Sequence, residues 1–413
     1  MAALLIRDLA QVVSPTGREA PVRGRAMGEL ETVEDAFVLC REGRIAAVGR
    51  MRDLPAGVGE VEELDGRGRA AVPGLVDCHT HACFAGDRVG EFDLRSGGAT
   101  YEELHAAGGG ILSTVAATRA AGEEALGAAV ACHRRWMLAH GTTTFEAKSG
   151  YGLDRETELA MLRAVREGGG VPTWLGAHAV PPEFDDADAY LDFALAEVLP
   201  DAAGLAEAAD VFLERGAFDV AQARRYLATC RAAGLAPRLH ADQFTEAGGI
   251  ELAVELGARS VDHLEATGPA GVARLAASDV TAVLLPVAAL YLGRPMPPGR
   301  GLVDAGAAVA LATDFNPGSA YCESLAVAMS LACTQVGLTP AEALTACTVN
   351  AAHVLGRADR TGRIAPGYAA DVVLLDAPDW RHLAYHLGGD VVAVVVEGGV
   401  PMTSDKATID PDL

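Results

Sequence analysis

The sequence predicts a (β/α)₈ TIM barrel joined to a small β-sandwich domain built from both ends of the chain. Three observations support this fold. Eight short apolar runs alternate with helix-like segments in the middle of the chain, several runs end in His or Asp, and both termini contain short strands bounded by turn residues. The length of 413 residues exceeds the roughly 250 that a barrel needs, which leaves room for a second domain.

The termini read as strands. Near the N-terminus, the runs 36–40 and 45–48 are separated by Arg41 to Arg44, which predicts a hairpin. Near the C-terminus, the apolar runs 371–376 and 391–396 are followed by Gly398 and Gly399, as is typical of buried strands that end in turns. We therefore predict that residues 1–72 and 361–413 form the small domain and that residues 73–360 form the barrel.

The barrel strands are predicted from eight apolar runs, which is the number that a closed barrel requires. They lie at residues 74–79, 142–146, 173–178, 211–214, 238–240, 260–263, 282–286 and 309–314. Segments rich in Ala, Leu, Arg and Glu, such as 155–167 and 220–233, suit the amphipathic helices that connect parallel strands.

Two histidines mark the end of the first of these runs, one as its last residue and one two residues further on. Because side chains alternate along a strand, His79 and His81 point to the same side about 7 Å apart, close enough to share one metal ion. His240 and Asp314 end later runs in the same way. Since the active site of such a barrel lies at the carboxyl ends of its strands, these side chains are expected to converge on one point.

Composition excludes several classes of partner. The 33 basic and 56 acidic residues give a net charge of −23, which argues against nucleic acids and anionic membranes as partners. The apolar runs are shorter than the roughly 18 residues of a membrane span, and the charged N-terminus does not fit a signal peptide. The eight cysteines lack paired metal-binding spacing, so reduced thiols in a cytoplasmic protein are expected.

Beyond these patterns, the chain resembles the amidohydrolase superfamily. The resemblance is carried by His79-Thr-His81, His240, His263 and Asp314. Longer segments resemble the imidazolonepropionase family within it. These segments are residues 84–92, 98–103, 108–111, 146–153, 175–184, 240–243 and 312–319. The similarity covers nearly the whole chain, and it implies an amidohydrolase-type barrel.

The resemblance implies a metal-dependent opening of a cyclic amide: hydrolysis of 4-imidazolone-5-propanoate to N-formimidoyl-L-glutamate, the third step of histidine degradation. It assigns His79, His81, His240 and Asp314 to one zinc or iron ion, which lowers the pKa of bound water to about 7. Asp314 and His263 would then move protons or polarise the ring carbonyl. The resemblance also favours a homodimer.

The resemblance further implies a substrate pocket for the small molecule. Its members would be Arg88, Tyr151, His178, Gln243, Asn316, Gly318 and Ser319. Arg88 has the forked donor geometry that suits the propionate carboxylate. Gln243 belongs to the catalytic group only through a hydrogen bond to the ring or to water. Some family members carry glutamate there, and a glutamine cannot act as a base.

Several alternatives stay open at this stage. Another amidohydrolase activity, such as that of a purine or pyrimidine deaminase or of a different cyclic-amide hydrolase, would share the metal site but not the propionate pocket. A catalytically silent scaffold would be expected to have lost metal ligands, which this chain retains. Lys148 is expected to be a charged loop residue and not a carbamylated metal ligand. The long connection from Ala85 to Thr118 is expected to act as a lid or binding element.

Overall fold

The computed structural model describes residues 3–98 and 109–402, and it contains a barrel and a separate sheet. The barrel strands pair in parallel from first to last in chain order. They are β6 (Leu75–Asp77), β7 (Thr142–Lys148), β8 (Val171–Ala177), β9 (Ala208–Leu213), β10 (Ala236–Ala241), β11 (Ser260–His263), β12 (Thr281–Leu284) and β13 (Val309–Leu311). All eight predicted runs correspond to these strands, so the predicted barrel is confirmed.

The barrel closes beyond the carboxyl ends of its first and last strands. The Asp314 backbone N–H donates to the His79 carbonyl at 3.0 Å, and the His81 N–H donates to the Phe315 carbonyl at 2.8 Å. These bonds join the segments that follow β6 and β13. Barrel closure therefore brings the two-histidine motif next to Asp314.

Helices surround the barrel, and several start at the expected capping residues. Asp154 Oδ1 accepts from the Thr157 N–H at 2.7 Å, and Asp219 with Gln222 forms a capping box. The α-helices span Val89–Ser96, Ile111–Ala139, Arg155–Glu167, Ala187–Phe193, Leu199–Ala202, Val220–Ala232, Gly249–Leu256, Pro269–Ala276, Pro286–Tyr291, Gly299–Ala305, Leu325–Leu331, Pro340–Thr345, Ala351–Val354 and His382–Tyr385. Turns of 3₁₀ helix span Gly24–Gly28 and Met51–Asp53, and π-helical segments span Ala194–Val198, Ala332–Val336 and Ala346–Asn350.

Both ends of the chain contribute to the second sheet. Its strands are β1 (Leu4–Pro15), β2 (Leu30–Arg41), β3 (Arg44–Arg50), β4 (Glu62–Asp65), β5 (Ala70–Pro73), β14 (Val372–Leu375), β15 (Val392–Glu397) and β16 (Val400–Met402). They pair in the order β16-β15-β14-β5-β1-β2-β3, with β4 beside β1. β2 and β3 form the predicted hairpin, and β5 joins the N-terminal strands to the C-terminal ones. The fold class is confirmed, whereas the exact domain limits near residues 72 and 360 stay predictions.

The connection after β6 contains more helix than the predicted long loop. Helices Val89–Ser96 and Ile111–Ala139 occupy much of it, and Gly122, with φ +75°, interrupts the second helix. Residues 99–108 of this predicted lid lie outside the described residues. In the described part of the chain, no helix is long and apolar enough to cross a membrane.

Candidate metal centre and substrate pocket

All four predicted metal ligands meet at the carboxyl end of the barrel. Asp314 Oδ1 lies 3.4 Å from His79 Nε2 and 3.5 Å from His81 Nε2. His240 Nε2 lies 3.4 Å from His81 Nε2. These four residues are at most 4% exposed. The structure therefore brings three histidines and one carboxylate together, although they come from distant parts of the sequence.

The donor set fits a metal ion. His79 Nε2 is buried and has no hydrogen-bond partner among the residues that the structure describes, although its other ring nitrogen has one. Burial is the main cause that holds the pKa of His79 and His81 well below the usual range, so both rings are neutral and can present a lone pair. Imidazoles with one carboxylate suit zinc or iron. The histidine and aspartate side chains thus form a metal-binding cluster.

His263 also faces this cluster. One of its ring nitrogens lies within 4.8 Å of nitrogens of His79 and His240. Its Nδ1 lies 3.3 Å from Glu265 Oε1. Burial lowers the pKa of His263, but the neighbouring carboxylates, of which Glu265 has the largest effect, together raise it by more, so the net shift is upward. His263 is therefore better suited than its neighbours to carry a proton.

The backbone is strained where two of these side chains leave their strands. His263 has φ +85° and Asp314 has φ +57°, both in the left-handed region that non-glycine residues rarely adopt. Such strain is characteristic of functional sites, where the surrounding structure holds the residue in place. For Asp314, the hydrogen bond that closes the barrel supplies part of that support.

Two buried carboxylates orient the histidines from behind. Asp262 Oδ2 lies 2.6 Å from His79 Nδ1, and Asp210 Oδ1 lies 3.1 Å from His240 Nδ1. A carboxylate can only accept there, so each Nδ1 carries the proton and each Nε2 presents its lone pair to the cluster. Sequence reasoning missed both residues. The available signal was a charged residue inside an apolar strand, such as Asp262 on β11.

A buried charge network lies beneath these carboxylates. Lys148 Nζ lies 2.8 Å from both Glu146 Oε1 and Asp210 Oδ2, and the Arg238 guanidinium contacts Glu146 and Asp262 at 2.9 Å. The expectation that Lys148 is a charged loop residue is wrong. It ends β7 and is fully buried, because carboxylates from three other strand positions compensate its charge.

Two predicted pocket residues lie beside the cluster. The His178 ring stacks on His81 with centroids 5.4 Å apart, and the Tyr151 ring lies 5.7 Å from His81. His178 Nδ1 lies 2.9 Å from the Gly150 carbonyl oxygen, which can only accept. Burial is the main cause that lowers the pKa of His178 to about 3. His178 is thus neutral, and its Nε2 carries the lone pair.

Arg88 is held at the edge of the same region. Its Nε and Nη2 donate to Glu91 Oε2 at 2.9 and 2.6 Å. A Cβ atom added to Gly318 would lie 2.0 Å from Arg88 Nη1, so the guanidinium packs directly on that glycine. Glu91, which sequence reasoning missed, therefore holds one edge of the guanidinium, the edge that carries Nε and Nη2.

For the remaining predicted pocket residues, the structure shows no hydrogen bond between their side chains and the histidines of the cluster among the described residues. Asn316 Oδ1 accepts from the Gly318 and Ser319 N–H groups at 2.8 and 2.7 Å, and its Nδ2 donates to the Asp314 carbonyl at 2.6 Å. This side chain therefore holds its own turn together. Gln243 is buried two residues after β10, and no hydrogen bond joins its side chain to the described residues.

The fold and the cluster define a class of protein, the metal-dependent amidohydrolases. The model of the amidohydrolase family matches residues 70–401. Among solved structures, an adenosine deaminase from Xanthomonas campestris with bound zinc has a TM-score of 0.71 at 20% identity, covering 96% of this chain and 92% of that one. Escherichia coli guanine deaminase has a TM-score of 0.73 at 15% identity, covering 98% and 99%. These likenesses support the fold alone.

More similar relatives narrow the class. A protein named imidazolonepropionase from Rubrobacter xylanophilus is 62% identical over 96% of this chain and 97% of its own length. Proteins of that name from Deinococcus radiodurans and Chloroflexus aggregans are 49% and 48% identical, over 97% and 98% of this chain and 100% and 99% of their own lengths. The chain belongs to the imidazolonepropionase family of amidohydrolases.

Proposed function

We propose that this chain hydrolyses the cyclic amide bond of 4-imidazolone-5-propanoate to give N-formimidoyl-L-glutamate, the third step in the degradation of histidine to glutamate. The observation that carries the proposal is 62% identity over 406 residues to a relative named imidazolonepropionase. The site is consistent with this reaction, because a metal-binding cluster lies beside a pocket with a fixed arginine.

The proposed metal ligands are His79, His81, His240 and Asp314, holding one zinc or iron ion. The buried Nε2 of His79, which lacks a hydrogen-bond partner in the described part of the chain, and the convergence of the other donors support this assignment. When bound, such an ion supplies Lewis acidity and lowers the pKa of coordinated water to about 7.

Proton transfer is assigned to Asp314 and His263. Asp314 is a carboxylate beside the proposed ion, so it can orient the nucleophile and take its proton. His263, with Nδ1 facing Glu265, can donate from Nε2 to the ring carbonyl or to the leaving nitrogen. Gln243 can hydrogen-bond the ring or water but cannot remove a proton.

The propionate is assigned to Arg88. Because Glu91 accepts from the Nε–H and from one N–H of Nη2, the other N–H of Nη2 and those of Nη1 are the donors left for the carboxylate. Gly318 lies beside Nη1 and the Tyr151 hydroxyl is nearby. Neutral His178 presents an acceptor at Nε2, which suits an N–H of the heterocycle better than a carboxylate. In this proposal Asn316 and Ser319 shape the floor of the pocket.

A matched pair of arginine variants tests the pocket. Arg88→Met removes the proposed carboxylate partner, whereas Arg274→Met removes an exposed arginine on helix Pro269–Ala276. Loss of a charged hydrogen bond costs about 1.5–3 kcal/mol, so kcat/KM for the imidazolone should fall roughly 10- to 150-fold in the first variant and stay unchanged in the second. The same kcat/KM in both variants would contradict the assignment of the propionate to Arg88.

The homodimer and the cytoplasmic location also stay proposals.

A further inference from the structure

Glu158 is a buried carboxylate that lies outside both the metal-binding cluster and the substrate pocket. It sits near the start of helix Arg155–Glu167 and is 1% exposed. Its side chain turns back toward the loop that joins β7 to this helix. A buried carboxylate needs strong hydrogen bonds to offset the loss of hydration, and this loop supplies them.

Three backbone N–H groups converge on this carboxylate. Glu158 Oε1 accepts from Gly150 at 3.0 Å, Gly152 at 2.8 Å and Leu153 at 2.9 Å, and Oε2 lies 3.2 Å from the Gly150 nitrogen. The loop packs so closely on the helix that a Cβ atom at Gly152 would lie 2.9 Å from Glu158 Oε1. One side chain therefore fixes the path of most of the loop.

The loop path is one that the backbone would not adopt without support. Leu153 has φ +53° and Gly150 has φ +95°, both in the left-handed region. For leucine this conformation costs on the order of 1 kcal/mol or more, so it persists only where surrounding contacts hold it. The hydrogen bonds to Glu158 are contacts of this kind.

The same loop carries groups that face the substrate pocket. Tyr151 lies between Gly150 and Gly152, whose N–H groups both donate to Glu158. The Gly150 carbonyl accepts from His178 Nδ1 at 2.9 Å. The Tyr151 and His178 rings lie 5.2 Å apart. A shift of the loop would move the tyrosine and release the proton that sets the tautomer of the histidine.

We propose that Glu158 is a positioning residue for substrate binding, acting through the loop to hold Tyr151 and the acceptor tautomer of His178. The inference rests on the proposed function, because it assumes that these two residues contact the imidazolone. It adds a residue that touches neither substrate nor metal.

The test compares Glu158→Gln, Glu158→Ala and the control Glu156→Gln. Glu156 is an exposed carboxylate in the first turn of the same helix, so the control removes the same charge without the loop contacts. KM and kcat for 4-imidazolone-5-propanoate, metal content, and amide hydrogen exchange of residues 149–154 are measured below the melting temperature of every variant.

We expect Glu158→Ala to raise KM at least tenfold and to speed exchange of the loop amides, with metal content unchanged. Glu158→Gln keeps one acceptor oxygen and the native shape, so it should fold and show a smaller rise in KM. Glu156→Gln should match the native protein. Unchanged KM in both Glu158 variants, with an active native enzyme, would overturn the positioning role. If the native enzyme itself does not turn over the imidazolone, the proposed function fails instead.

A double-mutant cycle separates positioning from a general loss of structure. In a Tyr151→Phe background, Glu158→Gln should raise KM by a smaller factor than in the native protein, because part of its effect passes through the tyrosine hydroxyl. Equal factors in both backgrounds would overturn the coupling to Tyr151.

Discussion

Replacing Asp262 with asparagine removes the carboxylate behind His79 while keeping its shape. In the native protein Asp262 Oδ2 accepts from His79 Nδ1 at 2.6 Å and from Arg238 Nη2 at 2.9 Å, and it lies 4.0 Å from Lys148 Nζ. The asparagine can still accept from the histidine through its amide oxygen. What it loses is the negative charge that makes His79 a stronger ligand and compensates the two buried cations.

The expected magnitude follows from these contacts. Loss of a carboxylate partner behind a metal-binding histidine typically weakens metal affinity by about 10- to 100-fold, or about 1.4–2.8 kcal/mol. Breaking a buried ion pair lowers the free energy of unfolding by about 3–5 kcal/mol, here at the contact with Arg238. Asp262→Asn should therefore have both a lower metal affinity and a lower free energy of unfolding than the native protein.

Two assays separate these effects. Competition with a chromophoric chelator measures the dissociation constant of zinc for metal-free protein, and urea denaturation measures the free energy of unfolding. Asp279→Asn is the control, because it changes a fully exposed aspartate. If Asp262→Asn binds zinc as tightly as this control, the orienting role assigned to the carboxylate is refuted.

Three further predictions follow from the site. Gly318→Ala places a Cβ atom 2.0 Å from Arg88 Nη1, which forces the guanidinium to move. Steady-state kinetics should show a KM for the imidazolone that is raised about tenfold with little change in kcat, and an unchanged KM would contradict the packing of Arg88 on Gly318. Lys148→Met leaves Asp210 and Glu146 without the cation that each contacts at 2.8 Å. Urea denaturation should therefore show a free energy of unfolding that is lower by about 3–5 kcal/mol, and a decrease below about 1 kcal/mol would refute the stabilising role of these ion pairs. Burial is the main cause that raises the pKa of Asp314 to about 7 in the metal-free protein. Because the metal binds the ionised carboxylate, the zinc affinity of the metal-free protein should fall by up to tenfold per pH unit below about 7. Calorimetric titration measures this affinity, and a zinc affinity that is constant from pH 6 to 8 would contradict the prediction.

The protonation of Asp314 affects the stability of the metal-free protein in the opposite direction to its effect on zinc affinity. An acid whose pKa is raised in the folded state binds its proton more tightly when folded. Between about pH 7 and the ordinary pKa near 4, protonated Asp314 therefore makes the metal-free protein more stable as pH falls. Acid should thus weaken metal binding without this residue destabilising the fold.

The barrel and the converging ligands could be predicted because their signals are local. Each strand is an apolar run of a few residues, and the alternation of His79 and His81 depends only on strand geometry. The position of His240 and Asp314 then follows from the rule that strand ends meet at one face of a barrel.

The buried charges could not be predicted in the same way. Lys148 looks like a surface residue in isolation, and its burial depends on Glu146, Asp210 and Asp262, which reach it only after the barrel has closed. Glu91 and Glu158 were missed for a similar reason. Their roles lie in hydrogen bonds to a guanidinium and to a loop backbone, and neither bond has a periodic sequence signal.

The most direct test of the proposed activity combines metal analysis with an assay of freshly prepared 4-imidazolone-5-propanoate. The proposal predicts about one zinc or iron ion per chain, and loss of the imidazolone matched by appearance of N-formimidoyl-L-glutamate. Chelation should abolish turnover and added metal should restore it. A fully metal-loaded protein that leaves the imidazolone intact, or that releases ammonia from a purine or pyrimidine instead, would contradict it.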